Sequence, residues 1–147
     1  MATIQRFEEV YSWKLGRALA ADVYALTRRD GFRQDEALVL QIRRSVISIS
    51  SNIAEGFERG STKDFINFLY IAKGSAGEVR SQLYIARDQQ YLSQEEFDAL
   101  LEKCEKTSQS ISGFIDYLRK CARPKRQTQR PAEPAPDSIW NEQPPTY

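Results

Sequence analysis

Two apolar series that keep the same step set the terms for this chain. Phe65, Leu69, Ala72, Ala76, Val79, Leu83 and Ala86 alternate spacings of four and three residues, and Phe97, Leu101, Cys104, Ser108, Ile111, Ile115 and Leu118 do the same. A mean period of about 3.5 residues belongs to helices that pack nearly parallel with a left-handed twist. Few residues separate the two series, and Ser93 with Glu96 forms an S-x-x-E capping box that opens the second. Two long helices joined so closely must run antiparallel.

Upstream, Leu38, Ile42, Val46, Ile49 and Ile53 fall on one face of another helix. Asp35 is its expected N-cap, with Glu36 near the positive end of the helix dipole, and Gly56 is expected to supply the left-handed turn that ends it. Gly56 and Gly60 bracket a turn, after which Ser61 or Thr62 caps the helix carrying the Phe65 series. The earliest helix begins between Phe7 and Ser12 and runs to about Arg29, with Trp13, Ala20, Val23 and Thr27 on one side and Leu15, Leu19 and Leu26 in a second row. Four helices with short links predict an all-α, antiparallel up-and-down four-helix bundle over residues 1–121. From residue 122 the apolar periodicity stops, and all 6 prolines lie between Pro124 and Pro145. Residues 122–147 therefore read as a Pro-rich basic C-terminal tail. Its Ile139 and Trp140 are candidates to dock on a neighbouring subunit or partner, the alternative being an unattached end.

Composition removes whole classes of chemistry. With 0 histidines, no Ser-His-Asp or Cys-His arrangement, His-ligated zinc site or Glu-x-x-His di-iron site can be built from this chain. The expectation is a protein with no catalytic residues, metal or cofactor. Cys104 and Cys121 fall in one predicted helix about 25 Å apart, at about 1.5 Å per residue, beyond disulfide reach. They are expected to be reduced, partly buried thiols. The formal charge is only +1, from 21 basic and 20 acidic side chains, so attraction to nucleic acid must come from local patches. No apolar run approaches the roughly 20 residues of a membrane span, and MATIQRFEEV lacks a signal-peptide pattern, so a cytoplasmic location and no membrane partner are expected.

The apolar surface exceeds what one bundle needs. Phe68, Ile71 and Ile85 flank the seam of the third helix, and Val39 and Ile47 lie off the main row of the second, the mark of a self-association surface. Gly74, Ser75, Ala76 and Gly77 put small residues in mid-helix, where each glycine costs about 1 kcal/mol relative to alanine, so something is expected to approach closely there. Asn52, Glu55 and Glu78 suit contacts across subunits or helix-end amides better than acid–base work, since no histidine or fixed carboxylate partner accompanies them.

The strongest basic signal is Arg119, Lys120, Arg123, Lys125, Arg126 and Arg130, with no acid among residues 117–132. In an up-and-down bundle it shares an end with Arg59 and Lys63, so one rim of an oligomer is expected to be positive and to contact RNA. Arg43 and Arg44 suit phosphate contact through guanidinium forks, or a salt bridge with an acidic neighbour; residue type leaves both open. Tyr70, Tyr84 and Tyr91 offer either stacking platforms or packing.

These segments together resemble a known family, the four-helix-bundle proteins first associated with intervening sequences in bacterial 23S ribosomal RNA. QIRRSVISISSNIAEG, from Gln41 to Gly56, resembles a Q-[IL]-R-R core followed by S-I-P-x-N-I-A-E-G. DFINFLYIAKGSAGEV, from Asp64 to Val79, resembles E-F-x-R-F-L-x-I-A-x-G-S-x-x-E-L, and YIARDQQYL, from Tyr84 to Leu92, resembles the closing I-A-x-x-L-G-Y-L. The resemblance runs from about Tyr11 to Leu118. It implies a homopentameric, ring-like barrel. It also implies a relation to the accessory variability determinant proteins, which partner reverse transcriptases in diversity-generating retroelements and present a basic surface to RNA and polymerase. Ser50 stands where the pattern has proline, Asn67 replaces an arginine, and Gln89–Gln90 replaces Leu-Gly. The expected function is a non-enzymatic homopentamer that binds structured RNA or a ribonucleoprotein through a basic surface. The alternative is a protein-interaction adaptor or scaffold, such as an accessory subunit for a reverse transcriptase.

Overall fold

Helices form where the apolar rows predict them. In the computed structural model, which describes residues 3–122, a 3₁₀ turn at Phe7–Glu9 leads into α1 (Tyr11–Thr27), and a second at Phe32–Gln34 leads into α2 (Glu36–Glu58). α3 (Thr62–Asp88) and α4 (Gln94–Ala122) follow, and no strand occurs among the described residues. Arg123, Lys125, Arg126, Arg130, Ile139 and Trp140 lie outside the described residues. α1 packs on α2 and α4, α2 on α3, and α3 on α4, which is the up-and-down circuit of a four-helix bundle. The core is continuous: Leu19 and Val23 of α1, Ile42, Val46, Ile49 and Ile53 of α2, the whole Phe65–Ala86 seam of α3, and Cys104, Ile111 and Ile115 of α4 are buried.

Side chains cap the helix starts where expected. Asp35 Oδ1 accepts from the Leu38 N–H at 3.1 Å, and Ser61 Oγ from the Asp64 N–H at 3.3 Å. The capping box closes both ways, Glu96 N–H to Ser93 Oγ and Ser93 N–H to Glu96 Oε1, each at 3.1 Å. The Ser93 amide and the Arg29 guanidinium hold the Glu96 carboxyl below the ordinary glutamate range.

Four expectations need correction. Gly56 does not end α2; it lies buried inside the helix, and the positive φ of 73° belongs to Gly60. A Cβ at Gly56 would sit 2.6 Å from Phe68 Cβ and 2.9 Å from Phe65 Cδ2, so this glycine lets α3 close on α2. The close approach expected at the small-residue stretch occurs at Ser75 and Ala76, which are buried with Ser48 Oγ 2.8 Å from Ser75 Oγ, but not at Gly74 and Gly77, where no described residue comes within 4 Å of an added Cβ. In α4 the buried side chains are Leu100 and Thr107, not Leu101 and Ser108, which are half-buried. Cys104 is fully buried, but Cys121 is exposed.

At the end where α1 meets α2, the Phe32 ring stacks on Tyr91, with centroids 4.7 Å apart. The Tyr91 hydroxyl donates to Asp35 Oδ2 at 3.0 Å, a bond that pushes its own proton affinity up. One aromatic pair thus ties the α1–α2 link to the α3–α4 link. The second link closes as a Schellman turn: the Tyr91 N–H donates to the Ala86 carbonyl at 3.0 Å and the Gln90 N–H to that of Arg87 at 2.8 Å. This requires a left-handed residue at position 90, where Gln90 has φ 61° and the family pattern has glycine. Replacing Gln90 by glycine is expected to raise stability by about 1 kcal/mol, the cost of left-handed backbone for a residue with a Cβ. Urea midpoints of the two proteins check it, and a lower midpoint in the glycine variant would show that Gln90 is unstrained.

Candidate nucleic-acid interface and self-association face

The α2–α3 turn and the C-terminus of α4 meet at one end of the bundle, as the up-and-down order predicts. Arg59 Nη2 lies 2.8 Å from Glu55 Oε1, and its guanidinium lies over the Phe68 ring, 5.2 Å from the centroid. That pairing raises the Arg59 proton affinity further. Arg119 lies over the Tyr70 ring at 5.4 Å, and Lys63 and Lys120 are exposed. Glu55, Glu58, Asp64 and Asp116 occupy the neighbouring turns, so the described part of this rim carries both signs. Arg123, Lys125, Arg126 and Arg130, the other members of the basic run, lie outside the described residues.

The arginine pair of α2 divides between two faces, because adjacent helical residues point about 100° apart. Arg43 is half-buried, donates from Nε to Thr27 Oγ1 at 2.9 Å, and covers the Tyr24 ring at 4.5 Å. It clamps α1 to α2, which is an intramolecular role and not the salt bridge considered from sequence. Arg44 is exposed on the α2–α3 side and lines a shallow cleft of about 650 Å³ with Ser45, Ser48, Ile71, Gly74 and Glu78. Neither arginine joins the α4 rim.

Along the α2–α3 seam runs a polar strip that the sequence reading did not foresee. Ser75 Oγ donates to the Ile71 carbonyl at 3.1 Å, so Ser48 Oγ, 2.8 Å away, must donate to Ser75. Ser48 in turn accepts from Asn52 Nδ2 at 2.8 Å. Ser45 Oγ lies 2.9 Å from both the Gln41 carbonyl and Glu78 Oε2, which share its single proton, and accepts from Gln82 Nε2 at 3.1 Å. The available signal was serine at positions 45, 48 and 75, beside buried rows. Asn52 and Glu78 thus bond within the chain, and Glu55 pairs with Arg59.

Phe68 is half-buried, against Gly56 and under Arg59. Ile71 and Ile85 keep 51% and 47% of their surface exposed, on the α3 face that also carries Gly74 and Glu78. Leu40 and Ile47 of α2 are likewise exposed. Of the expected interface set, Ile71, Ile85, Glu55 and Glu78 are exposed, while Asn52 and Phe68 are half-buried.

A second hollow, of about 780 Å³, opens at the α4 C-terminal end, between Ile4, Phe57, Phe65, Phe114, Tyr117 and Leu118. It arises from unequal helix lengths, which apolar periodicity does not reveal. α1 spans about 26 Å and α4 about 44 Å at 1.5 Å per residue. Lys103 Nζ meets Asp22 Oδ2 at 2.6 Å, so in antiparallel register the start of α1 at Tyr11 falls opposite Phe114. The last turns of α4 extend past it.

Among the described residues no group of His, Cys, Asp and Glu could hold a metal, and no helix is long and apolar enough to cross a membrane. Fold and surface together define an antiparallel four-helix bundle with a mixed-charge end and, among the described residues, an exposed apolar face on α2 and α3. Residues 8–113 match the pattern of the 23S rRNA-intervening sequence proteins, and the chain belongs to that family. Its fold is similar to the 1.70 Å crystal structure of a protein of unknown function from the S23 ribosomal protein family of Bacteroides thetaiotaomicron VPI-5482. That likeness has 23% identity and a TM-score of 0.65 and covers 71% of this chain and 97% of the other. No curated protein matches this sequence.

Proposed function

We propose that this protein is a non-enzymatic homo-oligomer, a pentamer by family resemblance, that binds structured RNA through the α4 end of the bundle. The observation that carries the reading is the run of basic residues that begins on α4 with Arg119 and Lys120 and continues through Arg123, Lys125, Arg126 and Arg130, at the end that also holds Arg59 and Lys63. The family's ribosomal RNA association agrees with it. Assembly uses the α2–α3 face, where Ile71, Gly74, Ile85 and Ile47 lie open. Repeating the basic run around a ring converts a neutral chain into a dense positive rim.

A protein-binding adaptor is the second reading, with a reverse transcriptase as the partner class suggested by resemblance to accessory variability determinants. The mixed charge of the described rim favours it. Ultraviolet crosslinking in the native cells, with sequencing of attached RNA, separates the two. Expected is one enriched RNA, lost when Arg119, Lys120, Arg123, Lys125 and Arg126 are changed to glutamate, with binding that weakens steeply as salt rises. An Ile71→Asp, Ile85→Asp protein, expected to have the mass of one chain by light scattering, should lose most of that binding with the ring. No enrichment over an uncrosslinked control overturns the RNA reading and leaves the adaptor.

A further inference from the structure

The hollow at the α4 end serves neither the RNA reading nor the self-association face. Most of its lining is apolar and aromatic, and Ser61 and Thr62 also border it. Its volume of about 780 Å³ falls in the range of ligand-binding clefts, roughly 300–1,000 Å³. An apolar recess of that size wants an occupant with a large hydrophobic side chain and a polar handle.

We propose that the occupant is the chain's own segment Asp137–Glu142, DSIWNE, with Ile139 and Trp140 filling the groove. Position supports it. Cys121 lines the groove, and the described part of α4 runs to Ala122, so the tail begins next to the groove in sequence. From there to Ile139 the chain reaches up to about 60 Å when extended, at about 3.5 Å per residue. A short tether of this kind holds its end at an effective concentration in the millimolar range.

Composition supports it as well. Beyond residue 122 the sequence contains one adjacent pair of large apolar side chains, Ile139 and Trp140, in a stretch otherwise rich in proline and charge. Acidic Asp137 and Glu142 flank that pair, and the residues next in sequence to the lining carry both signs, Lys63, Arg119 and Lys120 beside Glu58, Asp64 and Asp116, so the apolar pair and not charge selects the segment.

Cys121 makes the test direct, because it lines the groove, whereas Cys104 is fully buried and its thiol is pushed up to about 12 by burial. The full-length protein and an Ile139→Ser, Trp140→Ser variant are treated with N-ethylmaleimide, and modification of each cysteine is followed by mass spectrometry. Circular dichroism checks that the helices are intact. Cys121 is expected to react about tenfold faster in the variant, as for a docked state populated about ten to one, with Cys104 inert in both. A synthetic peptide of residues 134–145 added to the variant should slow Cys121 again. Equal rates in the two full-length proteins overturn the proposal, and so does a peptide that leaves the variant's rate unchanged.

Discussion

Replacing Gly56 by valine is expected to destabilise the bundle by about 3 kcal/mol, the upper part of the usual range for overpacking a close-packed core. A Cβ there would stand 2.6 Å from Phe68 Cβ and 3.4 Å from Phe65 Cα. A Cβ is fixed to its backbone, so no rotamer change relieves that contact and α3 must move away from α2. The buried Phe65 ring packs edge-on against both Phe57 and Phe114, so the displacement passes to α4 as well. The helix-propensity gain on replacing glycine by β-branched valine, about 0.3–0.5 kcal/mol, offsets only a small part of the loss. Urea denaturation followed by circular dichroism measures the difference, and an unchanged midpoint would mean that the two helices do not approach this closely.

The second large effect is expected at the opposite end. Truncating Phe32 to alanine should lower stability by about 3–5 kcal/mol, the usual cost of removing a buried aromatic ring. Phe32 is 0% exposed, and its removal leaves Tyr91 without a stacking partner. Tyr91 in turn holds Asp35, whose other oxygen caps α2, so a cavity in one loop loosens a helix start and the α3–α4 link together. Tyr91→Phe, which removes the hydrogen bond and keeps the ring, is the comparison. A Phe32→Ala protein no less stable than Tyr91→Phe would contradict this account.

Where sequence reading succeeded and failed follows from what each residue had to satisfy. The α3 row was legible because seven positions repeat one step and each is apolar, leaving one face to bury. In α4, Leu100 and Leu101 are both leucine, and packing against α3 and α1 chooses Leu100. Thr107 follows it inward because its hydroxyl bonds the Lys103 carbonyl at 2.8 Å, which removes the penalty for burying a polar group. Gly56 was misread because a glycine near a helix end and a glycine beneath a neighbouring helix look identical until the neighbour is in place.

The candidate site was legible in kind, not in arrangement. Basic residues on α4 announce themselves, but the division of Arg43 from Arg44 depends on which side of α2 receives α1. The exposed Ile71 and Ile85 were detected as apolar surplus, whereas the groove required knowing the register of two helices of unequal length.

Cys104 gives the protein a property of another kind. Its sulfur lies at complete burial near the middle of α4, held neutral by its surroundings. A reagent can reach it only after the helices part, so with reclosing faster than reaction the rate of its modification at a fixed reagent concentration reports the population of the opened bundle. The chain thus carries an internal gauge of its own breathing, readable at a native thiol, and a partner that grips the assembled bundle would slow the reaction by the strength of its grip.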